Sequence, residues 1–108
     1  MTRPHAATDV PFLDRARETA PPEVLRGWQW ERFVAGVAEI WSSNAFWRER
    51  LRAAGVRDPR DVGSWADFAR LPRLTKAELV ADQEGHPPFG TNHTHPLDRY
   101  VRVFQTSG

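Results

Sequence analysis

The residues best suited to chemistry stand together at positions 106–108. There Thr106-Ser107-Gly108 follows Arg99-Tyr100-Val101-Arg102-Val103-Phe104-Gln105. The alternation sets Tyr100, Arg102 and Phe104 on one face and Val101 and Val103 on the other, which predicts a strand over residues 99–105. A strand that empties into small hydroxyl residues and glycine is how many phosphate-binding loops begin. Glycine lets the backbone approach an anion, and successive N–H groups can then point at it. A strand followed by an ordinary turn has the same composition, so these three residues alone leave both readings open.

Other reactive side chains organise less well. His86, His93 and His95 share a turn-rich loop, but the chain has no cysteine, and no Asp or Glu beside them completes a familiar ligand spacing. Exposed loop histidines are the simpler reading, and no metal ligand is assigned. Lys76 is a phosphate-binding type of residue, yet its place reads as the exposed first turn of a helix. Glu39, Glu49 and Glu78 with nearby arginines read as helix-surface pairs, each of small energy. No Ser-His-Asp set can be assembled, and no residue is assigned a catalytic role.

Several short helices must carry these residues. Pro4, Pro11, Pro21 and Pro22 mark residues 1–22 as an extended lead-in, with a short helix within residues 14–19. Residues 23–41 read as a helix whose Trp30, Phe33, Val34, Val37, Ile40 and Trp41 form one apolar stripe. Core packing explains that stripe, and a partner surface is the alternative. Ser42-Ser43-Asn44 interrupts the pattern, and Asn44 reads as the N-cap of a second helix over residues 45–54. Gly55 then ends that helix, with Val56 placed to fold back on Leu51 in a Schellman motif. Asp58-Pro59-Arg60-Asp61 is a turn. Ser64 opens a short helix with Trp65, Phe68 and Ala69 inward, closed at Leu71-Pro72. Leu74-Thr75-Lys76-Ala77-Glu78-Leu79 carries a capping box with a hydrophobic staple. The division is therefore a lead-in (1–22), a helical subdomain (23–84), and a loop and strand (85–108). The fold class is mainly α, with several short packed helices and a C-terminal strand.

Composition narrows the function classes. Fifteen basic residues against 14 acidic ones leave a charge of +1 over 108 residues, with both signs interleaved. That gives no electrostatic case for nucleic acid. No apolar run is long enough to span a bilayer, and none has signal-peptide length, so no membrane partner is expected and a cytoplasmic location is. The absence of cysteine fits a reducing compartment.

Taken in order, the fragments are Asn44-Ala45-Phe46-Trp47-Arg48, Ala54-Gly55-Val56, Leu71-Pro72-Arg73-Leu74-Thr75-Lys76-Ala77-Glu78-Leu79, Pro88-Phe89-Gly90 and Thr106-Ser107-Gly108. This order resembles the N-terminal region of phenylacetate–CoA ligase and its relatives in the adenylate-forming, AMP-binding superfamily. The resemblance runs from about Trp30 to Gly108, and its Leu-Pro-x-Leu-Thr-Lys piece is the most specific. Trp47 stands where tyrosine is common.

The resemblance implies a reaction in two steps: a carboxylate attacks the α-phosphate of ATP to give an acyl-adenylate and pyrophosphate, then coenzyme A displaces AMP to give a thioester. It implies an acid substrate, often an aryl acid such as phenylacetate, with ATP, Mg²⁺ and coenzyme A as cofactors. A small carboxylic acid is the expected partner, and a homodimer is compatible with the reading. Thr106, Ser107 and Gly108 are carried over as nucleotide-binding residues, at the start of the family's Thr/Ser-Ser-Gly-Thr-Thr-Gly loop. The strand would join the sheet of a larger α/β adenylate-forming domain. The rest of that loop, the adenine and Mg²⁺ motifs and the lid with its catalytic lysine would lie beyond Gly108, so these 108 residues alone are expected to be inactive. The rival expectation is a non-catalytic helical interaction module.

Overall fold

Among the described residues, capping side chains set the start of most α-helices. The structure, a computed structural model, describes residues 11–106. Among these, residues up to Arg32 form one compact unit and residues from Phe33 form another.

In the first unit, α1 (Arg15–Glu18) is a single turn. The Asp14 carboxylate accepts from the Arg17 N–H at 3.1 Å, and the Glu18 carboxylate accepts from the Asp14 N–H at 2.7 Å. The long helix α2 (Pro22–Ser43) begins with Pro22 in its first turn, where the missing N–H costs nothing.

α2 ends two residues later than its apolar pattern predicts. Ser42 does not interrupt it, because its hydroxyl donates back to the Ala38 carbonyl at 3.1 Å. The Asn44 N–H closes the last turn on the Ile40 carbonyl at 2.8 Å. The Arg48 guanidinium then bonds the orphan carbonyls of Trp41 and Ser42, both at 3.3 Å, placing a cation at the negative end of the helix.

The helix α3 (Ala45–Ala53) starts at Asn44 and stops in a complete Schellman motif. Gly55 takes φ +93°, its N–H bonds the Arg52 carbonyl at 3.0 Å, and the Val56 N–H bonds the Leu51 carbonyl at 2.9 Å. That geometry folds Val56 onto Leu51. The two pack with Val62 into the core of the second unit, and Phe33, Ile40, Trp41 and Leu71 close around them. Val37 is also buried while Val34 stays open to solvent. The stripe on α2 is therefore largely a packing face.

A 3-10 turn at Pro59–Asp61 follows, capped by Asp58. Next come α4 (Trp65–Ala69), capped by Ser64, and α5 (Lys76–Gly85), capped by Thr75. The capping box at α5 is formed in both directions. The Thr75 N–H donates to Glu78 Oε2 at 2.7 Å, and the Glu78 N–H donates to Thr75 Oγ1 at 3.3 Å. On α4, Trp65 and Phe68 gather with Phe33 at centroid distances of 5.0–5.7 Å, yet both α4 rings remain more than a third exposed. The inward side predicted for this helix is thus only partly covered.

The C-terminal segment differs from expectation. No strand is found among the described residues: Leu97–Arg99 is a 3-10 turn, and residues 101–106 carry no regular structure. A strand exists only through ladder bonds to a neighbour, and no ladder reaches this segment among the described residues. Alternation supplies two faces but no partner. Val101, Val103 and Phe104 accordingly stand 91%, 70% and 86% exposed.

Candidate functional site

Of the three residues expected at a nucleotide, Thr106 is described, and Ser107 and Gly108 lie outside the described residues. Thr106 is exposed and makes no hydrogen bond among the described residues. One exposed hydroxyl does not compose a site for ATP, Mg²⁺ or coenzyme A, and no chemical step can be routed through it. What the described residues do build is the platform from which that segment departs.

The platform has three polar anchors. The first is Asn44, 3% exposed, at the junction of α2 and α3. Its Oδ1 accepts from the Trp47 N–H at 3.0 Å, the expected cap. Its Nδ2 donates to Asn92 Oδ1 at 3.1 Å and to Thr94 Oγ1 at 3.3 Å, which the local pattern does not indicate. One buried side-chain amide thus caps the start of a helix and holds a loop nearly fifty residues away.

The second anchor is Asp82 on α5, whose side chain is 10% exposed. It accepts from the Thr91 N–H at 2.7 Å and from the Thr91 hydroxyl at 2.6 Å. Burial pushes this carboxyl up, but the two bonds from Thr91, with smaller help from His86 and the Asn92 N–H, hold it below its ordinary value. Gly90 turns the chain at φ +72° against the same carboxylate, and a Cβ there would collide with Asp82 Oδ2.

The third anchor is the Tyr100 hydroxyl, which accepts from the consecutive N–H groups of Thr94 and His95 at 3.1 and 3.2 Å. Phe89, Asn92, His93, Leu97 and Tyr100 wall an open cleft of about 360 Å³, completed by Arg102 and Val103.

Behind the platform, Arg50 ties α3 to α5. It donates to Glu78 Oε1 at 2.8 Å and to the Arg73 carbonyl at 2.9 Å, and lies 5.5 Å from the ring centroids of both Phe46 and Trp47. The Arg50 bond, then the Thr75 N–H and hydroxyl, draw the Glu78 carboxyl down to about 2. A folded value below the ordinary 4.5 means that protonation favours unfolding. The stabilisation is complete above about 4.5 and fades as pH falls toward about 2. Acid titration of the wild-type chain by circular dichroism should show a falling urea midpoint through that window. Glu78→Gln should start lower and fall less; equal slopes for the two would place the acid sensitivity elsewhere.

The remaining candidates stay dispersed. Lys76 is exposed at the first position of α5. His86 lies 3.7 Å from Asp82, His95 lies 4.0 Å from Glu39, and His93 Nδ1 is 3.0 Å from the His95 carbonyl. Among the described residues no three His, Asp or Glu side chains are grouped to hold a metal ion. Likewise no helix among them is long and apolar enough to cross a membrane. No protein-family model matches the chain, and neither the curated proteins nor the solved structures return a match.

Proposed function

We propose that the chain is the N-terminal part of an ATP-dependent acid–CoA ligase, one that activates a small, preferably aryl, carboxylic acid as its adenylate. The observation that carries this reading is the order of the five sequence fragments, from Asn44-Ala45-Phe46-Trp47-Arg48 to Thr106-Ser107-Gly108. The local roles of those residues support it. Asn44 caps α3, Arg48 closes α2, Gly55 and Val56 end α3, and Thr75 with Glu78 opens α5. The exposed Val101 and Val103, alternating on one face, and Phe104 on the other support it further, since such a segment with no ladder partner among the described residues suits a strand that pairs with a sheet elsewhere in a longer protein. In that setting residues 101–105 lead Thr106 and Ser107 to the phosphates.

Two measurements test the proposal. The source gene read past the Gly108 codon should encode Thr-Thr-Gly next; a stop codon there overturns the reading. ATP–pyrophosphate exchange with an aryl acid should be at background for the 108 residues alone, and clear turnover would contradict the assignment of the missing chemistry to later sequence.

A second reading, a helical interaction module, is favoured by one observation. Phe68 of the Phe33–Trp65–Phe68 cluster and Val34 of α2 are each 46% exposed. A stop codon after Gly108, with the chain folded and monodisperse, selects that reading.

A further inference from the structure

We propose that residues 90–100 act as a strap that fixes the direction in which residues 101–106 leave the helical unit, with Asp82, Thr91 and Tyr100 as its positioning residues. A connection rich in turn residues ordinarily samples many conformations. This one is pinned at its start, middle and end. Asp82 holds Thr91 by both its N–H and its hydroxyl at 2.7 and 2.6 Å. The buried Asn44 amide holds Asn92 and Thr94 at 3.1 and 3.3 Å. The Tyr100 hydroxyl draws the end of the strap back onto the N–H groups of Thr94 and His95 at 3.1 and 3.2 Å.

The bonds reach two separate helices, α3 through Asn44 and α5 through Asp82, so the strap cannot pivot about either one alone. Gly90 is pressed against the Asp82 carboxylate and leaves no room for a side chain, which sets the angle of entry. Past Tyr100 the restraint stops, and Val101 is 91% exposed. The change from a restrained to an open segment therefore falls close to Tyr100. A fixed exit is useful only if the departing segment must meet something in register, because ordering a free segment at the moment of binding costs affinity. That functional weight rests on the ligase reading, in which Thr106 and Ser107 come next; the geometry of the strap does not.

The absence of native cysteine makes a distance measurement direct. Val101→Cys and Glu84→Cys in the full 108-residue chain, spin-labelled, report the separation of the strap's end from α5. The expected result is a narrow distance distribution. Its width roughly doubles in Thr91→Val and in Tyr100→Phe, with far-UV circular dichroism unchanged, as local opening without unfolding requires. Thr91→Ser restores the hydroxyl and keeps the distribution narrow, and Glu78→Gln, which weakens α5 away from the strap, also leaves it narrow. If Thr91→Val loses helix signal, Tyr100→Phe alone decides. A distribution already broad in the parent, or one unmoved by Tyr100→Phe, overturns the strap. Neither outcome bears on the ligase reading, which stands or falls on the codons after Gly108.

Discussion

Leu51→Ala is expected to lower the unfolding free energy by about 2–4 kcal/mol, the usual cost of emptying a fully buried leucine site. The effect is large because so little else is buried. Val37, Leu51, Val56 and Val62 are the buried hydrophobic side chains among the described residues, and Leu51 at 2% exposure is the most enclosed. It also sits where the Schellman motif folds Val56 back, so truncation removes the apolar contact that motif normally brings with it. The backbone bond from Val56 to the Leu51 carbonyl survives the change, which separates the packing loss from the cap. Against a total stability on the order of 5–10 kcal/mol for a chain of this size, the loss is a large fraction. Urea unfolding followed by tryptophan fluorescence measures it, with Leu51→Met as a volume-conserving control expected to cost less than about 1.5 kcal/mol. Equal midpoints for parent and Leu51→Ala would mean that the cluster around Leu51 does not hold the unit together.

The parts of this structure that a reader of the sequence can find are those whose physics is local. Asn44, Ser64 and Thr75 declare their helices because a cap needs only a short polar side chain and the next few N–H groups. Gly55 declares an end because the left-handed residue there favours glycine. Ser42 misleads for a local reason too, since a hydroxyl that breaks a pattern can instead bond back within the turn.

Pairing across distance stays hidden. Nothing near Asn44 points to Asn92 or Thr94, and nothing near Arg50 points to Glu78, because a polar side chain's partner leaves no trace in periodicity. The strand expected at residues 99–105 is not shown among the described residues, on the same ground. Alternation describes one side of a bond whose other side, in this chain, is not among the described residues. The site is least legible of all. Thr106 stands out by its chemistry, while the Asp82–Thr91 bonds and the Tyr100 hydroxyl that steer the approach to it depend on the fold of the loop.

Asn44→Ala is expected to cost about 2–3 kcal/mol, more than a helix cap alone. The cap accounts for about 1 kcal/mol, through the Trp47 N–H left without its acceptor. The remainder comes from the loop side, where Asn92 Oδ1 and Thr94 Oγ1 lose their shared donor within a part-buried contact. Asn44→Asp separates the two contributions. A carboxylate still accepts from the Trp47 N–H, and negative charge suits the start of α3. It cannot donate, so Thr94 must turn its hydroxyl to donate instead and the Asn92 amide must present its NH₂ group. Asp should therefore recover the cap and part of the loop contact, leaving a penalty smaller than that of Ala. Amide hydrogen exchange resolves the two sites: in Asn44→Ala both Trp47 and Thr94 should exchange faster, and in Asn44→Asp Trp47 should remain protected. If Asn44→Ala speeds Trp47 alone, the amide is a cap and nothing more, and the loop is held by Asp82 and Tyr100 without it.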